Sequence, residues 1–157
     1  RIAGMPQQAY SAGIEYRDPH FWWVGANANY LASTYLDVSA LLRTQNFYNN
    51  PDDPYGLPFK VDDARAQELL KQEKFAGYYL FNLSGGKSWR VGKQTIGFFA
   101  NINNIFDKTY KTGGFEQARN ANYDNLNKDV SSGTPPFAPK YFYGYGRTYF
   151  LNLYINF

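Results

Sequence analysis

Apolar and polar residues alternate along five stretches of this chain, and a period of two marks a β-strand with two unlike faces. In residues 7–17, Tyr10, Ala12, Ile14 and Tyr16 share one face, and Ser11, Gly13, Glu15 and Arg17 the other. Residues 21–34 set Trp22, Val24, Ala26, Ala28 and Tyr30 against Trp23, Gly25, Asn27 and Asn29. Residues 78–89 set Tyr79, Phe81 and Leu83 against Tyr78, Asn82, Ser84 and Gly86, and 95–105 set Ile96, Phe98, Ala100 and Ile102 against Thr95, Gly97, Asn101 and Asn103. In 144–157, Tyr149, Leu151, Leu153, Ile155 and Phe157 oppose Thr148, Asn152, Tyr154 and Asn156. Each run covers about 11–14 residues, against ~5–6 in soluble sheets, and meets the ~9–11 that cross a bilayer when tilted. The polar face carries Asn, Gly, Ser and Thr rather than Lys and Glu, which suits a crowded, watery lumen.

The connections alternate in length. Asp18-Pro19-His20 and Val91-Gly92-Lys93 read as tight turns, whereas 35–77 and 106–143 are long. Outer-membrane barrels have short periplasmic turns and longer extracellular loops. The fold class expected is therefore all-β: an antiparallel transmembrane β-barrel fragment with two long extracellular loops and a periplasmic C-terminus. Aromatic residues gather accordingly. Tyr16, Phe21, Trp22, Trp23, Trp89 and Phe157 fall at the expected periplasmic ends, and Tyr30, Tyr35, Tyr78, Tyr79, Phe106, Tyr110 and Tyr143 at the outer ends. From Trp22 to Tyr30 is roughly 26 Å along a strand and about 20 Å vertically, close to the ~25 Å apolar band of such barrels. Five strands do not close a barrel, which takes about eight at least, and each unpaired edge group in lipid costs several kcal/mol. The chain opens at Arg1 with neither an initiator Met nor a signal segment, so it is expected to be the tail of a longer polypeptide; the other option is pairing with a second chain. A soluble β-sandwich with long loops is the competing fold, disfavoured by strand length, aromatic placement and the nearly uncharged polar face.

Composition sharpens this picture. Aromatic residues make up 20% of the 157 residues, with 15 Tyr and 13 Phe, and charged residues only 18%, where soluble domains average roughly 25%. The mean hydropathy of −0.55 would alone suggest a soluble chain, but alternating strands evade that measure. No stretch approaches the ~20 apolar residues of a helical span. The absence of cysteine excludes disulfides and thiolate metal sites. The net charge of +3 is spread out, with no Lys/Arg run of the kind that binds nucleic acid.

Two segments carry a family resemblance. Asn101-Ile102-Asn103-Asn104-Ile105-Phe106-Asp107-Lys108-Thr109-Tyr110 resembles the N-L-F-D-x-x-Y pattern of TonB-dependent receptors, with Ile105 where Leu is usual. Gly146 to Phe157 (GRTYFLNLYINF) resembles that family's closing strand with its aromatic last residue. Thr112 to Arg119 (TGGFEQAR) and Pro139-Lys140-Tyr141-Phe142-Tyr143 are similar to a Bacteroidetes-type branch. The diagnostic part covers residues 95–157. The resemblance implies a bacterial outer-membrane barrel of about 22 strands closed by an N-terminal plug, of which this chain would supply the last five. It implies active import of a scarce nutrient (siderophore, glycan, peptide or cofactor) driven through TonB. The implied partners are outer-membrane lipid, the rest of its own barrel and plug, TonB, the barrel-assembly machinery and, in some members, a surface lipoprotein. The stripe Tyr149, Leu151, Leu153, Ile155 and Phe157 resembles the C-terminal signal read by that machinery, and it serves equally as a lipid face. The alternative from another class is a receptor-like barrel acting as a structural or assembly subunit of an envelope or secretion complex; a passive porin is a third.

Residues 62–74 read as a short helix capped by Asp62 or Asp63 and striped by Ala64, Ala66, Leu69 and Leu70. It could lie over the barrel mouth or simply fold the loop. Asn50-Pro51-Asp52-Asp53-Pro54-Tyr55-Gly56 lacks the alternating ligands of a calcium loop and reads as turn chemistry. His20, the single histidine, sits at a turn. Phe115, Glu116, Gln117, Arg119 and Tyr123 combine aromatic faces with hydrogen-bonding groups and are the ligand-binding candidates, loop packing being the other reading. No nucleophile–base pair, metal-ligand cluster or phosphate loop is evident, so neither an enzyme, a metal nor a cofactor is expected.

Overall fold

The computed structural model describes residues 1–117 and 122–157. In chain order its elements are β1 (Gln8–Asp18), β2 (Trp22–Ala32), two 3-10 turns (Leu41–Arg43 and Gln45–Tyr48), α1 (Asp63–Leu69), β3 (Tyr78–Val91), β4 (Gln94–Asn103), β5 (Lys111–Phe115), α2 (Tyr123–Ser131), β6 (Lys140–Tyr143) and β7 (Thr148–Asn156). They fall into two compact units. A sheet unit comprises Pro6–Ser33, Ala76–Tyr110 and Tyr143–Phe157, and a loop unit comprises Arg1–Met5, Thr34–Phe75 and Lys111–Phe142. No helix among the described residues is long and apolar enough to cross a membrane, a criterion that does not apply to strands.

The sheet unit is one five-stranded sheet in the order β1-β2-β3-β4-β7, antiparallel at every pairing. It is open, with β1 and β7 at its edges. Tight turns fix two of the junctions. After β1, His20 N donates to Asp18 Oδ1 at 2.8 Å and Phe21 N to Asp18 O at 3.1 Å, which reverses the chain into β2. Between Val91 and Gln94, Gly92 takes the positive φ of 65° that a two-residue hairpin turn asks of its first position. The strand ends differ from the expected ones for local reasons. Ser33 (φ 58°) and Asn104 (φ 50°) turn left-handed and stop β2 and β4 short of 34 and 105. The last strand begins at Thr148 rather than 144. The residues before it are held elsewhere, with Gly144 N donating to Tyr110 O and Arg147 N to Asp107 Oδ1.

The loop unit holds more order than the two long loops expected from the sequence. β5 and β6 pair as a two-stranded sheet, and α2 lies between them in the chain. Leu42, Phe47 and Ala66 form a buried core, with Val61, Leu70, Tyr123 and Leu126 packed against it. Phe47 is fully enclosed and meets the Tyr123 ring edge-on at 5.8 Å. Burying such a side chain contributes roughly 1.5–3 kcal/mol. The helix expected over 62–74 forms only over Asp63–Leu69. Asp62 caps it, its Oδ1 accepting from Ala64 N at 2.9 Å. Beyond it, Arg43 Nη2 donates to Leu70 O (2.8 Å) and Gln72 Nε2 to Leu36 O (2.8 Å), drawing the chain off the helical path. Asn50 Oδ1 accepts from Asp52 N and Asp53 Oδ1 from Tyr55 N and Leu57 N, so the Asn50–Gly56 side chains act as turn formers.

Candidate functional site

The registers align one set of alternating positions across the whole sheet. Ile14, Ala26, Leu83, Ile102 and Tyr149 are successive cross-strand partners, and so are Tyr16, Val24, Gly85, Ala100 and Leu151. The result is a single apolar face spanning all five strands, and it is open to the surroundings: Ile14 is 78% exposed and Leu153 75%. Soluble monomers rarely leave apolar patches larger than a few hundred Å² uncovered. Aromatic rings border this face at both ends. Tyr10, Tyr30 and Tyr79 are cross-strand partners with ring centroids 6.3 and 4.5 Å apart. Towards the turns, Tyr16 meets Trp22 at 5.3 Å and Trp89 meets Phe98 at 6.0 Å. The charges on this face, Asp18 and Lys87, stand at the turn end, where Lys87 Nζ reaches His20 O (3.4 Å) and lies over the Trp89 ring. The stripe Tyr149, Leu151, Leu153 and Ile155 belongs to the same face along the open edge strand β7, and Phe157 lies just past its end, 94% exposed.

The opposite face is built from amides, glycines and a line of rings. Asn82 Nδ2 donates to Asn27 Oδ1 at 2.8 Å, Asn101 Nδ2 to Asn103 Oδ1 at 3.1 Å and Asn103 Nδ2 to Thr148 Oγ1 at 3.3 Å. Trp23 stacks on Phe99 (5.8 Å), and Phe99 meets Phe150 (5.9 Å). Glycine makes room for these rings. A Cβ on Gly86 would stand 2.8 Å from Trp23 Nε1, and one on Gly97 would collide with the Tyr154 ring. The same face holds a shallow depression of about 520 Å³ bordered by Trp23, Asn27, Asn82, Ser84, Phe99 and Asn101. Trp22 and Trp23 share a height and fall on opposite faces, as the alternation along the strand has them. Tyr78 likewise turns away from Tyr79 and stacks on Tyr110 at 4.3 Å, and Tyr35 is buried in the loop unit.

The Asn-Asn-Ile-Phe-Asp segment is a corner that ties three pieces of chain. Asn104 is 4% exposed; its Nδ2 donates to Lys108 O (2.9 Å) and Tyr145 O (3.3 Å), and its Oδ1 accepts from Lys108 N (2.8 Å). Its own N–H donates to Asn82 Oδ1 at 2.9 Å. Asp107, also left-handed (φ 53°), donates its N–H to Asn104 O and accepts from Arg147 N at 2.7 Å. Asn and Asp are the non-glycine residues that adopt this backbone most readily. A side chain that offers both donor and acceptor is what makes Asn104 a hub, a role that its place in the sequence motif alone did not reveal.

The ligand candidates of the second long loop are mostly committed within the loop unit. Glu116 makes a two-pronged ion pair with Arg43 (2.6 and 2.9 Å) and accepts from Ser39 N at 2.8 Å. Gln117 Nε2 donates to Ala138 O at 2.7 Å, and Tyr123 packs on Phe47. Phe115 is the more open one, tilted against Phe142 at 5.9 Å. Arg119 lies outside the described residues. Glu116 and Gln117 do border a recess of about 160 Å³. No family model matches the chain, and no curated protein matches it.

Proposed function

We propose that the sheet unit is part of the wall of a bacterial outer-membrane β-barrel of the TonB-dependent receptor kind, and that the complete protein imports a scarce nutrient. The observation that carries this reading is the exposed apolar face, continuous over five strands and edged by aromatic rings at both ends. Hydrocarbon covers such a face without any protein partner, and aromatic girdles at both interfaces mark outer-membrane barrels. The opposite, amide-rich face then lines the lumen. Two edges follow from the same reading. β1 and β7 run in the same direction because four antiparallel pairings lie between them. Strands that cover these edges run the other way, so an all-antiparallel closure adds an odd number of strands. Identical same-facing copies set side by side would meet in parallel seams, which favours a wall completed by other strands, as in a barrel of about 22. The exposed edge and apolar stripe of β7, with Phe157, suit pairing with the barrel-assembly machinery during insertion.

The experiment is uptake by source cells with the gene disrupted, across siderophores, glycans, peptides and cofactors. An importer loses uptake of one class, and a protonophore abolishes the same uptake in the parent strain. Unchanged uptake together with an envelope or secretion defect would replace import by the structural-subunit reading.

A further inference from the structure

The loop unit buries a carboxylate that none of its described residues neutralises. Asp129 lies in the last turn of α2 and is 8% exposed. Its backbone carbonyl accepts from Ser132 Oγ at 2.7 Å. Among the described residues, however, no donor or cation pairs with its side chain. Holding a carboxylate largely, though not wholly, away from bulk water without a partner is unfavourable, and the partial negative charge at a helix C-terminus adds to the penalty. No fully enclosed side-chain oxygen among the described residues lacks a hydrogen bond. The carboxylate oxygens of Asp129 therefore keep access to open space, and the space that Asp129 lines is the recess of about 160 Å³.

The other acids on that wall are already satisfied. Glu116 is held by Arg43 at 2.6 Å, while Glu73 is held by Lys111 (3.1 Å) and the Tyr141 hydroxyl (2.7 Å). Lys71, also on the wall, is exposed to solvent. The rest of the lining is largely apolar, including Leu36, Leu126 and Val130. A dry-walled recess with one unsatisfied carboxylate selects a cation on an alkyl stem. Its volume falls below the roughly 300–1,000 Å³ of pockets that enclose whole small molecules, so it suits one side-chain-sized group. A single carboxylate also matches the compact charge of an ammonium better than the planar fork of a guanidinium.

We propose that this recess binds an alkylammonium group, either the end of a lysine side chain on a peptide or a free alkylamine. The proposal does not depend on the membrane reading.

The test is calorimetric titration of the intact protein with Nα-acetyl-lysine methylamide, with butylamine, and with the neutral Nα-acetyl-norleucine methylamide. Saturable binding of an amine but not of the norleucine compound is expected. Tighter binding of the lysine compound than of butylamine points to peptides, and the reverse order to free amines. Asp129→Asn keeps the shape and removes the charge, so it should weaken amine binding about tenfold or more, with an unchanged or raised thermal midpoint. No saturable amine binding, equal affinity in the variant, or a lowered midpoint would overturn the assignment; the last would mean that the charge is balanced from within the fold.

Discussion

Arginine in place of Ile14 separates a lipid-facing sheet from a water-facing one. Ile14 is 78% exposed, and its cross-strand partner Ala26 lies midway between Trp22 and Tyr30, roughly 13 Å along the strand from each. If water bathed this face, the arginine would be solvated and the change would fall within about 0.5 kcal/mol either way. If hydrocarbon bathes it, a midplane arginine on a barrel's outer face costs about 2–4 kcal/mol. That is roughly a thirty-fold to thousand-fold loss in the folding equilibrium. The assay is a urea titration of the intact protein in lipid vesicles, followed by tryptophan emission. Ser11→Arg, on the amide-rich face of the same strand, is the matched control and should stay near wild type. Equal midpoints for Ile14→Arg and wild type would refute the placement of this face in lipid.

Three further substitutions probe how the fold is held. Asn104→Ala removes three side-chain hydrogen bonds at a left-handed residue, a backbone that alanine adopts less readily than asparagine; it should lower stability by about 2–4 kcal/mol, and Asn104→Gly by less, in thermal unfolding. Gly97→Ala should cost about 1–3 kcal/mol by pushing on the Tyr154 ring and on the Lys87 carbonyl oxygen, and the ring's share should vanish in a Tyr154→Ala background; strict additivity in the double-mutant cycle would show that the ring is not an obstacle. Glu116→Gln leaves Arg43 without its counter-charge and should weaken the loop unit by about 1–3 kcal/mol, seen as faster amide exchange at Ser39, whose N–H bonds to Glu116.

The five long strands were legible because period-two alternation survives over many residues, and the tight turns at Asp18–His20 and Gly92 announced themselves by composition. Strand ends were less so. Ser33 carries no sequence mark of its left-handed backbone, and Thr148 opens β7 late only because Asn104 and Asp107 hold the residues before it. The loop unit was mostly hidden. β5 (Lys111-Thr112-Gly113-Gly114-Phe115) contains two glycines, β6 is four residues long, and their pairing joins segments far apart in the chain. Glu116 looked like a ligand contact because its partner Arg43 is remote in sequence. Nothing in the sequence marks Asp129, since its burial arises from tertiary packing around α2.

The most direct test of the membrane-wall reading uses two neighbouring tryptophans. Trp22 stands on the apolar face and Trp23 on the amide-rich one. Variants of the intact protein that retain one or the other, with the remaining tryptophans changed to phenylalanine, are reconstituted into vesicles of lipids brominated on their acyl chains. Strong quenching of Trp22 emission with little quenching of Trp23 is the expected result. Equal quenching of the two, or none at either, would contradict a sheet whose apolar face lies against lipid.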